Sequence, residues 1–170
     1  MTALEKRLLK QWESGKITTE IFNAQFPIDV SNNAQYLIDE INNAAKLAKN
    51  KELSSLINLI YLCENKAPFI DVLNELLINP NHKSHQFITK TLQNLKQPSS
   101  VKFIKQALET DFDYLNYTAS EPEAIAKWFS WALFSIGTEE AINTLRQYAQ
   151  SDNAGIKKEM TYRLNKFLRE

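Results

Sequence analysis

Glycine is nearly missing from this 170-residue chain, with three residues, and histidine and cysteine are rarer still, with two and one. Three glycines leave little material for a phosphate-cradling loop, and there is no P-loop, no G-x-S-x-G and no H-E-x-x-H. A single cysteine excludes an internal disulfide, so folding needs no oxidising compartment. Cys63 follows Leu59, Ile60, Tyr61 and Leu62 and reads as a small buried hydrophobe, a setting that makes a poor thiolate. His82 and His85 stand three apart near a helix start. A zinc site needs three or four ligands, and no spacing recruits Cys63 or Glu75. The pair is expected in a polar first turn, with His85 facing solvent. No two residues have acid–base spacing, so we expect no enzyme, no catalytic residue, no metal and no cofactor.

Long apolar runs are also absent. None approaches the ~20 residues that would cross a bilayer, and the N-terminal "MTALEKRLLKQWESG" lacks the apolar region of a signal peptide. A cytoplasmic protein without a membrane partner is expected. Twenty basic residues balance twenty acidic ones, and that neutrality argues against a general nucleic-acid binder.

What the chain does have is helical periodicity. Apolar residues make up 44% of it, which suits one globular domain. They recur at three- and four-residue spacing, and no period-2 run is long enough for a strand. Helices are expected at 2–13, 32–49, 51–65, 69–78, 82–96, 99–109, 121–136, 139–150 and 153–168, with a short one near 20–24. Pro27, Pro68, Pro80, Pro98 and Pro122 fall between or at the start of these segments. Ser120 and Glu123 have capping-box spacing. Gly137 is placed to end one helix and Thr138 to cap the next. The helix at 121–136 is apolar nearly all round, with Trp131 and Phe134 off its main stripe, so it should be packed from more than one side.

The segment 95–107, "LKQPSSVKFIKQA", aligns without a gap on 136–148, "IGTEEAINTLRQY", at an offset of 41 residues. Each copy is a helix end, a turn and a second helix. That period lies in the range of about 40–47 residues of HEAT and armadillo arrays. The expectation is an all-α fold, a short α-solenoid of antiparallel, HEAT-like helix pairs, with an irregular helical bundle as the alternative. Residues 1–80 would supply N-terminal helices and 82–168 the pairs, within a single domain. Trp131 and Phe134 would then meet the next helix pair.

Net neutrality hides two opposed blocks. Lys83, Lys90, Lys96, Lys102 and Lys105 occur between Leu76 and Leu108 with no acid among them. From Glu109 to Glu123 there are five acids and no base. Phe112, Tyr114 and Tyr117 sit inside the acidic block. Tyrosine is enriched at protein–protein contacts, and complementary charge selects partners. Asp111, Asp113, Tyr114, Tyr117, Glu121 and Glu123 are therefore the candidate partner-binding residues. The alternative for the rings is a loop folded back to plug the end of the core.

The half of the chain from His82 to Leu168 resembles the HEAT-repeat immunity proteins that accompany bacterial polymorphic and contact-dependent toxins. The resemblance rests on His82 and His85, on Leu95, Lys96 and Pro98, and on Tyr114 and Tyr117. It continues through Trp131, Ala132, Leu133, Ile136, Gly137, Thr138, Glu140 and Ala141. It implies a small cytoplasmic protein that binds a cognate toxin and blocks it, with a nuclease among the candidate toxins. The alternative function is a HEAT-like scaffold that binds a host protein or a nucleic acid through its lysine-rich segment.

Overall fold

The computed structural model describes residues 1–110, 112–167 and 169. Among the described residues it holds ten α-helices and four short 3-10 turns, and no strand. The chain divides into two compact units, Met1–Phe69 and Ile70–Glu170.

The first unit contains α1 (Ala3–Glu13), α2 (Thr19–Gln25), α3 (Ala34–Lys46) and α4 (Asn50–Leu59). A capping box starts α1: the Thr2 hydroxyl accepts from the Glu5 amide, and the Glu5 carboxylate accepts from the Thr2 amide at 2.6 Å. Gly15, at φ +69°, turns the chain after α1. Phe22, Leu37, Ile41, Leu53, Leu56 and Ile57 form a fully buried core. Cys63 is buried as expected, with its thiol donating to the Val30 carbonyl at 3.2 Å. Burial pushes that thiol's pKa up.

The second unit contains α5 (Ile70–Leu77), α6 (His85–Leu95), α7 (Val101–Leu108), α8 (Pro122–Ile136), α9 (Glu139–Tyr148) and α10 (Ala154–Phe167). The central element is α8. It packs against α6 and α7 and, most extensively, against α10. This answers the apolar surface read around it. Ile125, Phe129, Ala132 and Leu133 are buried, while Trp131 and Phe134 reach α10 through Arg163 and Phe167.

The two aligned segments share a backbone device. α6 ends at Lys96 in the left-handed conformation, φ 53°, and α8 ends at Gly137 in the same conformation, φ 67°. These residues are 41 apart, the offset found in the sequence. α7 then packs against α9 as α6 packs against α8. Thr138 caps α9 by accepting from the Ala141 amide at 3.3 Å.

The box expected at Ser120 and Glu123 does not form. Pro122 takes the first helical position, where its missing N–H costs nothing, and this makes Glu121 the N-cap. Ser120 is thereby one residue too early, and Glu123 instead accepts from Lys158 at 2.8 Å.

Two substitutions test these backbone features. Lys96→Gly removes the side chain from a left-handed position and should raise stability by about 1 kcal/mol, read from the urea unfolding midpoint. Gly155→Ala should lower it by about 1–3 kcal/mol. A Cβ there would stand 2.9 Å from the Glu123 backbone nitrogen, where α10 crosses the start of α8.

Candidate functional site

The acidic segment leaves α7 and forms a 3-10 turn at Asp113–Thr118. Phe112 before it and Ala119 after it are both left-handed, at φ 59° and 50°. Such conformations are unfavourable for residues with a Cβ and persist only where surroundings enforce them. Here the enforcing contacts are apolar and polar together. Phe112 is buried against Phe129, with ring centroids 5.8 Å apart, and Leu115 is fully buried.

The polar part joins the two histidines to the two tyrosines. His82 and His85 are both buried and stack at 4.0 Å with 21° between their planes. His82 Nε2 lies 2.8 Å from the Leu76 carbonyl, and His85 Nε2 lies 2.9 Å from the Asn79 carbonyl. A carbonyl can only accept, so Nε2 carries the proton in both rings. His82 Nδ1 then accepts from the Ser84 amide at 3.1 Å. His85 Nδ1 accepts from the Tyr117 hydroxyl at 3.0 Å, and that hydroxyl in turn accepts from the His85 backbone amide at 3.1 Å. Tyr114 donates to the Leu77 carbonyl at 3.3 Å and sets its ring edge-on to His85.

The electrostatics follow from this geometry. Every imidazole nitrogen is already hydrogen-bonded with the ring neutral. Burial disfavours the imidazolium in both rings, and for His85 the adjacent His82 adds to it, so the His85 pKa falls to about 3. Burial, with Tyr117 nearby, pushes the Tyr114 hydroxyl up to about 12. The rings are thus occupied as fasteners. Among the described residues, no three or more His, Cys, Asp or Glu side chains are placed to hold a metal ion.

The six sequence-derived residues therefore separate by role. Tyr114 and Tyr117 are half-buried, and their hydroxyls serve inside the unit, as the core-plugging alternative expected. Asp113 and Glu121 are exposed and form no ion pair among the described residues. Glu123 pairs with Lys158. Asp111 lies outside the described residues. The expectation that His85 faces solvent is corrected: the ring is fully buried, because its partners, Asn79 and Tyr117, close over it from both sides in sequence. Reading the residues did find both halves of this cluster, the histidine pair and the tyrosine loop, but not that one fastens the other.

Comparison of the chain with known family models, curated proteins and solved structures finds no match.

The neutral histidines predict a pH dependence. Their folded pKa values lie below the ordinary 6.5, so under acid the unfolded chain takes up protons that the folded rings refuse. Their contribution is complete above pH 6.5 and is lost as pH falls toward the folded values. The limiting slope is about 1.4 kcal/mol per pH unit for each ring still neutral in the folded state. Urea midpoints between pH 7.5 and 5, a window above most carboxylate titration, should show this decline.

Proposed function

We propose that the chain is a binder rather than an enzyme: a cytoplasmic immunity protein that occupies a cognate bacterial toxin and blocks its active site or substrate channel. In this reading the helix pairs of the second unit stack as a short HEAT-like solenoid, and the acidic segment is the working face. The supporting observation is the pairing of two exposed carboxylates, Asp113 and Glu121, with a backbone clamped from beneath by Phe112, Tyr114, Leu115 and Tyr117. A segment already ordered loses little conformational entropy on binding. Its charge would steer it toward a basic surface, such as the phosphate-binding face of a nuclease. The tyrosines act as supports and Asp111 adds to the negative charge of the segment, while Glu123 is compensated by Lys158.

The test co-expresses the chain with the product of the neighbouring gene as the candidate toxin. Asp113→Lys combined with Glu121→Lys should weaken capture by about a hundredfold or more, because like charges then face each other. Thermal stability should change little, since both side chains are exposed. Unchanged binding by this double variant would remove the acidic segment from the interface. The exposed Lys83, Lys90, Lys96 and Lys102 support the alternative scaffold reading. Retention of random duplex DNA with a steep salt dependence would favour that alternative.

A further inference from the structure

A second site lies on the far side of α8, where α10 crosses it. Lys127 and Trp131 from α8 and Lys158, Glu159, Tyr162 and Arg163 from α10 line a pocket of about 350 Å³. That is the lower end of the range for small-molecule pockets. Arg163 is the unusual member. It is 1% exposed, yet its guanidinium carbon sits 3.8 Å over the Trp131 ring and 4.9 Å from the Tyr162 ring. Stacking engages the flat faces of a guanidinium and leaves its N–H donors, which lie in the plane, still to be matched.

Among the described residues that matching is incomplete. Arg163 Nε has no hydrogen-bond partner, and Arg163 Nη2 is 3.9 Å from Glu159 Oε2, too far for a hydrogen bond. Glu159 Oε2 is itself buried without a hydrogen-bond partner. A buried polar group left unmatched costs about 1–3 kcal/mol, more when it is charged. Two residues that line the pocket therefore carry a buried donor and a buried acceptor without hydrogen-bond partners among the described residues. Around them stand two exposed ammonium groups, Lys127 and Lys158, the second shared with Glu123 at 2.8 Å.

We propose that this pocket binds a small oxyanion that carries its own hydrogen-bond donor. The oxyanion accepts from Arg163 and Lys127, while the donor, an O–H on or next to the anionic group, satisfies Glu159. A simple carboxylate such as acetate brings the charge but sets an acceptor against Glu159, and so fits worse. Two sources share the required chemistry: an α-hydroxycarboxylate and hydrogen phosphate. No residue lining the pocket belongs to the acidic segment, so the site stands whether or not that segment binds a toxin.

The experiment titrates the full chain with glycolate, with inorganic phosphate at pH 7.5 and with acetate, each at constant ionic strength. The readout is the Trp131 indole N–H resonance, assigned with a Trp131→Phe variant. Glycolate or phosphate should shift that resonance saturably, and whichever binds more tightly identifies the source. Acetate should bind at least about tenfold more weakly, one hydrogen bond to a charged group being worth about that much. Lys127→Ala, an exposed change that leaves the fold intact, should weaken the tighter anion about three- to tenfold. Glu159→Gln removes the repulsion and should bring acetate up toward glycolate. Equal binding of acetate and glycolate to the unmodified chain, no saturable shift with any probe, or indifference to both substitutions would each overturn the proposal.

Discussion

One hydroxyl holds the second unit's loop in place. The Tyr117 oxygen donates to His85 Nδ1 and accepts from the His85 amide, and so it meets both the ring and the backbone of a residue 32 positions earlier. The arrangement works only with a neutral imidazole protonated on Nε2, and the Asn79 carbonyl enforces that tautomer. The Tyr114 contact to Leu77 and the burial of Phe112 and Leu115 depend on the same placement, since Tyr114 and Leu115 lie on the one 3-10 turn and Phe112 is its N-cap. Each hydrogen bond contributes about 0.5–1.5 kcal/mol net. Their larger consequence is geometric, because a loop bounded by two left-handed non-glycine residues would otherwise relax to many conformations.

The helical skeleton was legible because its signal is local. Apolar spacing, the prolines and the Gly137–Thr138 turn locate α1, α3 and α5 to α10 to within a few residues, and the short α2 near where it was expected; α4 starts where expected but ends at Leu59 rather than near 65. The left-handed pair at Lys96 and Gly137 gives the 41-residue repeat a structural counterpart. The Ser120 box failed for an equally local reason, since proline at the first helical position moves the cap by one residue. What could not be read was the destination of polar side chains. Two histidines three apart look like a solvated first turn, and nothing in that spacing reveals that Leu76 and Asn79 will present carbonyls to them.

The candidate site shows the same division. Exposure of Asp113 and Glu121 follows from charge in a loop, and it was legible. The inward use of Tyr114 and Tyr117 stood as one of two readings, because a tyrosine has an apolar body and a polar tip and serves either side of a surface. Arg163 was missed outright. Nothing in the sequence analysis gave it a role, yet it is more buried than Ile156 and stacks on Trp131. The available hint was Trp131 itself, an aromatic off the main stripe of α8 that needed a partner. Arginine is the charged side chain best suited to lie flat on an indole.

The two sites answer electrostatics in opposite ways. At the loop, every buried polar atom of the histidines has a partner and the rings are kept neutral, so burial costs little and the result is rigidity. At the α8–α10 crossing, charge is buried with its hydrogen bonds incomplete, a condition that raises the affinity of whatever completes them. Rigid support lies beneath exposed acids in the first case, and an unmatched buried donor and acceptor belong to the lining of a pocket in the second. The same helix carries both, with Phe129 facing the loop and Trp131 facing α10. Two positions along α8 are a rotation of about 200°, so these contacts fall on opposite faces, and an occupant at one need not meet the other.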